Sequence, residues 1–127
     1  MLDSSAICRL IPHIGSMCLL DKVIAWDALS ITCTTLTHRR NNNPLRNNNG
    51  LPMLALIEYV AQAMAVHGCL LAKDSGTVMQ EGYLVALRDI KLQQGWLSDI
   101  DVELVIKAER LFVEGGNMIY NMFVQAG

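Results

Sequence analysis

From Met53 to Leu71 the chain is apolar almost without a break, and Glu58, Gln62 and His67 are the strongly polar side chains inside it. Nineteen residues come close to the roughly 20 that a bilayer demands, but three polar groups and the lack of basic flanks make this a core helix of a folded domain rather than a membrane span. No transmembrane segment is expected. Upstream, KVIAWDALSITCTTLTH (22–38) is rich in β-branched residues, and Ile31, Cys33, Thr35 and Thr37 alternate with Thr32, Thr34, Leu36 and His38. That period of two predicts one long strand, bent near Ala28. The stretch NNNPLRNNNG (41–50) predicts a loop, because asparagine tolerates left-handed backbone, Pro44 interrupts pairing and Gly50 ends it. After the helix, 82–95, 99–112 and 117–126 read as three further strands, the last two parted by Glu114-Gly115-Gly116. In the second, Val102, Leu104 and Ile106 alternate with Glu103, Val105 and Lys107, as in a half-buried antiparallel strand. Strand, one nearly all-apolar helix, then three strands is an α+β order, and it predicts a curled antiparallel sheet wrapped around one long central helix.

At 127 residues and 14.0 kDa one domain is expected, spanning residues 1–127. With 52% apolar and only 17% charged residues, and seven methionines, the chain holds more apolar surface than one such domain comfortably buries. A homodimer is therefore expected, or a higher oligomer. Ten basic against twelve acidic residues, with no basic run beyond His38-Arg39-Arg40, exclude nucleic acid as the main partner. The cysteines at 8, 18, 33 and 69 form no CxxC and have no histidine at ligand spacing, so reduced structural thiols, no metal and no cofactor are expected. The first fifteen residues lack a basic leader and an uninterrupted apolar core, which points to a cytoplasmic protein.

Candidate chemistry centres on Glu58. Burying an ionised carboxylate costs several kcal/mol unless it is paired, so such a group finds donors or becomes protonated, and either outcome suits a general acid or base. At about 100° per residue, Ala61, Gln62 and Ala65 share its face, leaving space beside the carboxylate with an amide one turn away. A purely structural Glu58 would instead pair in the core, near Arg46 or Arg88. His67 follows nine residues later, about 180° around the helix, and reads as a packed histidine. His13 sits in a turn between Pro12 and Gly15 that could aim it at a helix, and His38, beside two arginines, reads as solvated.

Two segments resemble the β-hydroxyacyl-ACP dehydratases of hotdog fold. Ile11-Pro12-His13, followed by Met17-Cys18-Leu19-Leu20-Asp21-Lys22-Val23, is similar to the family's N-terminal L-P-H-x-x-x-x-L-L-x-D-x-V segment. Leu51-Pro52 and Leu56-Ile57-Glu58-Tyr59-Val60-Ala61-Gln62 are similar to the proline-containing turn and E-x-x-A-Q start of its central helix. With the following strands the resemblance covers nearly the whole chain, and the helix sequence looks most like the ApeP-like subgroup associated with aryl polyene biosynthesis. It implies a hotdog fold and a dehydratase acting on 3-hydroxyacyl thioesters of an acyl carrier protein or coenzyme A. It further implies catalysis by Glu58, with Gln62, Ala61, Ala65, Leu54 and Ala55 around the acyl slot and the backbone N–H groups of Leu54 and Ala55 polarising the thioester. In the family a loop histidine just before the helix completes the pair. Here that place holds Arg46-Asn47-Asn48-Asn49-Gly50, and asparagine cannot shuttle a proton near neutral pH, so His13 or His67 must substitute, His13 first. The departure keeps open a hotdog thioesterase that uses the helix carboxylate alone, and a non-catalytic acyl-binding subunit. Family members also carry one more strand after the one matching 117–126, so the sequence is expected to lack that strand.

Overall fold

The structure, a computed structural model, describes residues 1–11, 17–74, 76, 84–86, 95–114 and 117–126. It opens on a short helix that the hydrophobic pattern did not reveal, α1 (Ser4–Leu10), capped by the Asp3 carboxylate, which accepts from Ala6 N–H at 2.9 Å. The predicted long strand is two strands, β1 (Lys22–Trp26) and β2 (Ser30–Thr35), paired antiparallel. Asp27 causes the reversal: its Oδ1 accepts from both Leu29 and Ser30 N–H at 2.8 Å, closing a tight turn where a bend was expected. Thr37 and His38, placed in the same strand by their alternation, instead form a single 3-10 turn with Arg39.

The long helix is α2 (Leu56–Asp74), entered through a 3-10 turn at Met53–Ala55. By length and composition it would pass for a membrane span, yet more than half of its most apolar stretch is buried within the fold. It packs across β2 and β4 (Leu104–Glu114). Beyond β4 lie β5 (Asn117–Ala126), antiparallel to it, and the three residues of β3 (Leu84–Ala86), which pair parallel to β5. The sheet order is β1-β2-β4-β5-β3. Apart from Gly95, which lies in no strand, the remainder of the predicted 82–95 strand lies outside the described residues.

Period-two burial works as expected: Ile31, Cys33 and Thr35 on β2, and Leu104, Ile106 and Ala108 on β4, turn inward against the helix. Val102 falls before β4 and is exposed. Helix residues Tyr59, Ala63, Val66 and His67 fill the same core, so the sheet and one helix share a single apolar centre. This is the hotdog architecture that the order of elements predicted.

The thiols depart from expectation. Cys8 on α1 and Cys18 are joined in a disulfide, their Cα atoms 5.8 Å apart, while Cys33 and Cys69 keep their thiols, that of Cys69 donating to the Leu10 carbonyl at 3.4 Å. Ten residues of separation carry no motif; α1 and the segment entering β1 bring the two side chains together in space. Burial pushes the Cys33 thiol up to about 12, leaving it inert.

Candidate active site on the central helix

Residues of α2 fall into a deeply packed side and a half-open stripe. Glu58, Ala61 and Ala65 lie on the stripe, half-buried, spaced so that one carboxylate stands beside two methyl groups. The carboxylate is thus less enclosed than its apolar context suggested, because the sheet covers the opposite side of the helix. Glu58 Oε1 accepts from Gln62 Nε2 at 3.1 Å. Among the described residues the ion pairs are Arg40–Asp21 and Lys107–Glu109, and Glu58 belongs to neither. Arg46, a partner weighed for it, instead donates from Nε to the Arg40 carbonyl at 3.0 Å.

Gln62 is 3% exposed and its amide is occupied on both sides. One Nε2–H goes to Glu58 and the other to the Met17 carbonyl at 2.6 Å, while Oε1 accepts from Leu19 N–H at 2.9 Å. With both donors spent, Gln62 has none to offer a substrate; it orients Glu58 and pins Met17–Leu19 to the helix. Sequence reasoning saw the amide but missed its partners, since backbone groups at 17 and 19 leave no signature in residue identity.

At the helix start, the N–H of Ala55 is taken by the Pro52 carbonyl at 3.0 Å, closing the 3-10 turn. The expected pair of thioester-polarising donors therefore loses Ala55. Leu54, on the same turn, carries a side chain 62% exposed.

The histidines separate cleanly. His67 is fully buried on the far side of the helix from Glu58: Nε2–H donates to the Asp27 carbonyl at 2.8 Å, so Nδ1 accepts from the Tyr120 hydroxyl at 2.7 Å. Burial, the largest influence, holds its pKa below the ordinary imidazole value. It is the packed histidine the helical angle predicted. His38, expected to be solvated, is also fully buried, with Nε2–H donating to the Ile100 carbonyl at 2.9 Å. The 3-10 turn after β2 rotates it inward under the 97–100 segment while Arg39 beside it reaches out to the Ser98 carbonyl. Burial lowers the His38 pKa as well, against the Ile100 backbone bond that favours the charged form. His13 lies outside the described residues.

A half-open carboxylate with small neighbours and an orienting amide can exchange a proton with a chain lying along the stripe. The model of the family described as ApeP-like, ApeP dehydratase, matches residues 5–126. The chain belongs to the ApeP-like dehydratase family. No curated protein matches it. Among solved structures, this ApeP-like dehydratase is similar to "The Dehydratase Heterocomplex ApeI:P from Xenorhabdus doucetiae". The likeness has a TM-score of 0.68 at 21% identity, covering 94% of this chain and 80% of that one, and it is a likeness of fold. Among the described residues of the ApeP-like dehydratase no group of three or more histidine, cysteine or acidic side chains is arranged to hold a metal ion.

Proposed function

We propose that the protein removes water from a 3-hydroxyacyl thioester and that Glu58 is the carboxylate that moves a proton in that reaction. One observation carries this reading: Glu58 stands on the half-open alanine stripe of the central helix, oriented by Gln62 and outside the described ion pairs. Dehydration requires a base for the C2 proton and an acid for the C3 hydroxyl. As the C2–H and C3–O bonds break, the C2=C3 double bond forms and the hydroxyl leaves as water. Glu58 serves one transfer, and Ala61 and Ala65 leave room for the acyl chain beside it. His13 is the proposed second group. His67 is turned to the far side of the helix, and His38 is bonded to the Ile100 carbonyl, which leaves His13 as the candidate. A carrier-protein thioester is the proposed substrate, with coenzyme A as the alternative carrier.

The assay follows the carrier. With 3-hydroxyacyl-ACP and 3-hydroxyacyl-CoA offered separately, the product should retain the thioester and lose the mass of one water; release of the carrier thiol would mark a thioesterase, and neither change an acyl-binding subunit. Glu58→Gln keeps shape and loses the titratable proton, so turnover should vanish while the circular dichroism spectrum stays unchanged. His13→Ala should cost about a hundredfold or more, the usual size of a general acid/base contribution.

We further propose that the working form is at least a dimer. A homodimer follows from the apolar excess of the chain. The alternative is an unlike pair in which the partner supplies the second proton-transfer group, an arrangement suggested by the similar solved structure, which is a dehydratase heterocomplex. Near-normal turnover of His13→Ala in such a pair would select the second arrangement.

A further inference from the structure

The grip of Gln62 on Leu19 is one half of a longer arrangement. The Leu19 carbonyl, on the other side of the same residue, accepts from two hydroxyls, Thr35 Oγ1 and Thr37 Oγ1, each at 2.6 Å. Thr37 Oγ1 lies 2.7 Å from the Tyr59 hydroxyl, and Asn43 Nδ2 donates to that hydroxyl at 3.0 Å and to the Thr37 carbonyl at 3.0 Å. The donor assignments are forced. Asn43 gives its proton to Tyr59, Thr37 gives its own to the carbonyl of Leu19, and so Tyr59 must donate to Thr37. Asn43 is 6% exposed, Thr37 3%, and Thr35 and Tyr59 fully buried. Asn43 Oδ1 is bonded too, to Leu45 N–H at 2.9 Å, so each side-chain donor and acceptor group of Asn43 has a partner in a water-excluded core.

We infer that Asn43, Tyr59 and Thr37 form a positioning unit for the Glu58 carboxylate, acting through the backbone of Leu19 and the amide of Gln62. The inference rests on the proposed role of Glu58. Coupling across Leu19 is mechanical, because its N–H and its carbonyl belong to different peptide groups: hydroxyls hold one side of the residue, Gln62 the other, and the second amide proton of Gln62 is then directed to Glu58. Tyr59, adjacent to Glu58 in sequence, also ties the helix itself to the asparagine-rich loop, giving that loop a task its composition did not disclose. Removing one hydroxyl lets Leu19 and Gln62 shift together, and a displacement on the order of 1 Å at a reacting group costs up to about a hundredfold in rate.

The test compares Thr37→Val and Tyr59→Phe with the unaltered full chain, in the assembly that turns over 3-hydroxyacyl thioester, well below the melting temperature. Each should lower kcat by about tenfold or more with KM little changed. Thr37→Ser, which keeps the hydroxyl, should restore kcat. Asn48→Ala, in the same loop with no bond into this network, should behave as the parent. Unchanged kcat in both hydroxyl-deleted variants, beside an inactive Glu58→Gln, would overturn the inference alone and reduce the network to a structural one. An active Glu58→Gln would instead remove the proposed catalytic role and this inference with it.

Discussion

At the scale of single residues, two imidazoles carry a pH dependence that can be signed. His38 and His67 are both fully buried and both have pKa values held below the ordinary value near 6.5, chiefly by burial. Between the folded and unfolded pKa values the unfolded chain binds more protons, so acid favours unfolding. Their contribution is complete above pH about 6.5 and is lost as pH falls through the folded values. The denaturation midpoint should therefore drop as pH is lowered through the window below about 6.5, and His67→Gln should flatten that drop. A midpoint constant over the window would mean that neither ring is buried in its neutral form. The angle along α2 placed His67 correctly from sequence, because helical geometry fixes direction by counting. No such count applied to His38: its neighbours Arg39 and Arg40 suggested solvent, and a turn decided otherwise.

At the scale of elements, the apolar helix and the two long C-terminal strands were legible because an almost unbroken apolar run of nineteen residues marks the first, and alternation and turn signals mark the others. The hairpin of β1 and β2 was not, since alternation on both sides of a tight turn reads as one continuous strand. Asp27 was the available signal, and its bonds to Leu29 and Ser30 are what the turn consists of. Helix α1 is seven residues long, too short for a periodic pattern, and it brings Cys8 to Cys18. Thiol counting under denaturing, non-reducing conditions should find two thiols per chain, from Cys33 and Cys69, and four after reduction. Closing a loop of this size stabilises a fold by about 3 kcal/mol, so Cys8→Ser with Cys18→Ser should lower stability to urea by about that much. Four free thiols without reductant would contradict the bond.

At the scale of the whole molecule, the sheet ends on β1 at one side and β3 at the other. On β1, all residues but Val23 are exposed, including Ile24 and Trp26, and the half-open stripe of α2 adds further partly apolar surface. Exposed edges and apolar surface are managed by pairing with another chain, so sizing with light scattering at micromolar concentration should return a mass at least twice 14.0 kDa, alone or with an unlike partner. A strict monomer that turns over substrate unaided would defeat the proposed assembly. The sequence by itself determined the α+β order, the core helix, the core faces of β2 and β4 and the one carboxylate worth examining, because hydrophobic periodicity and the cost of a charge in an apolar run are local properties. Only the tertiary structure decided that Gln62 holds Glu58 and the Met17–Leu19 backbone, that Ala55 spends its N–H on Pro52, and that Cys8 meets Cys18. Each of those is a contact between specific atoms at hydrogen-bonding or bonding distance. It depends on how the chain turns between the partners, which the identities of the partners do not encode.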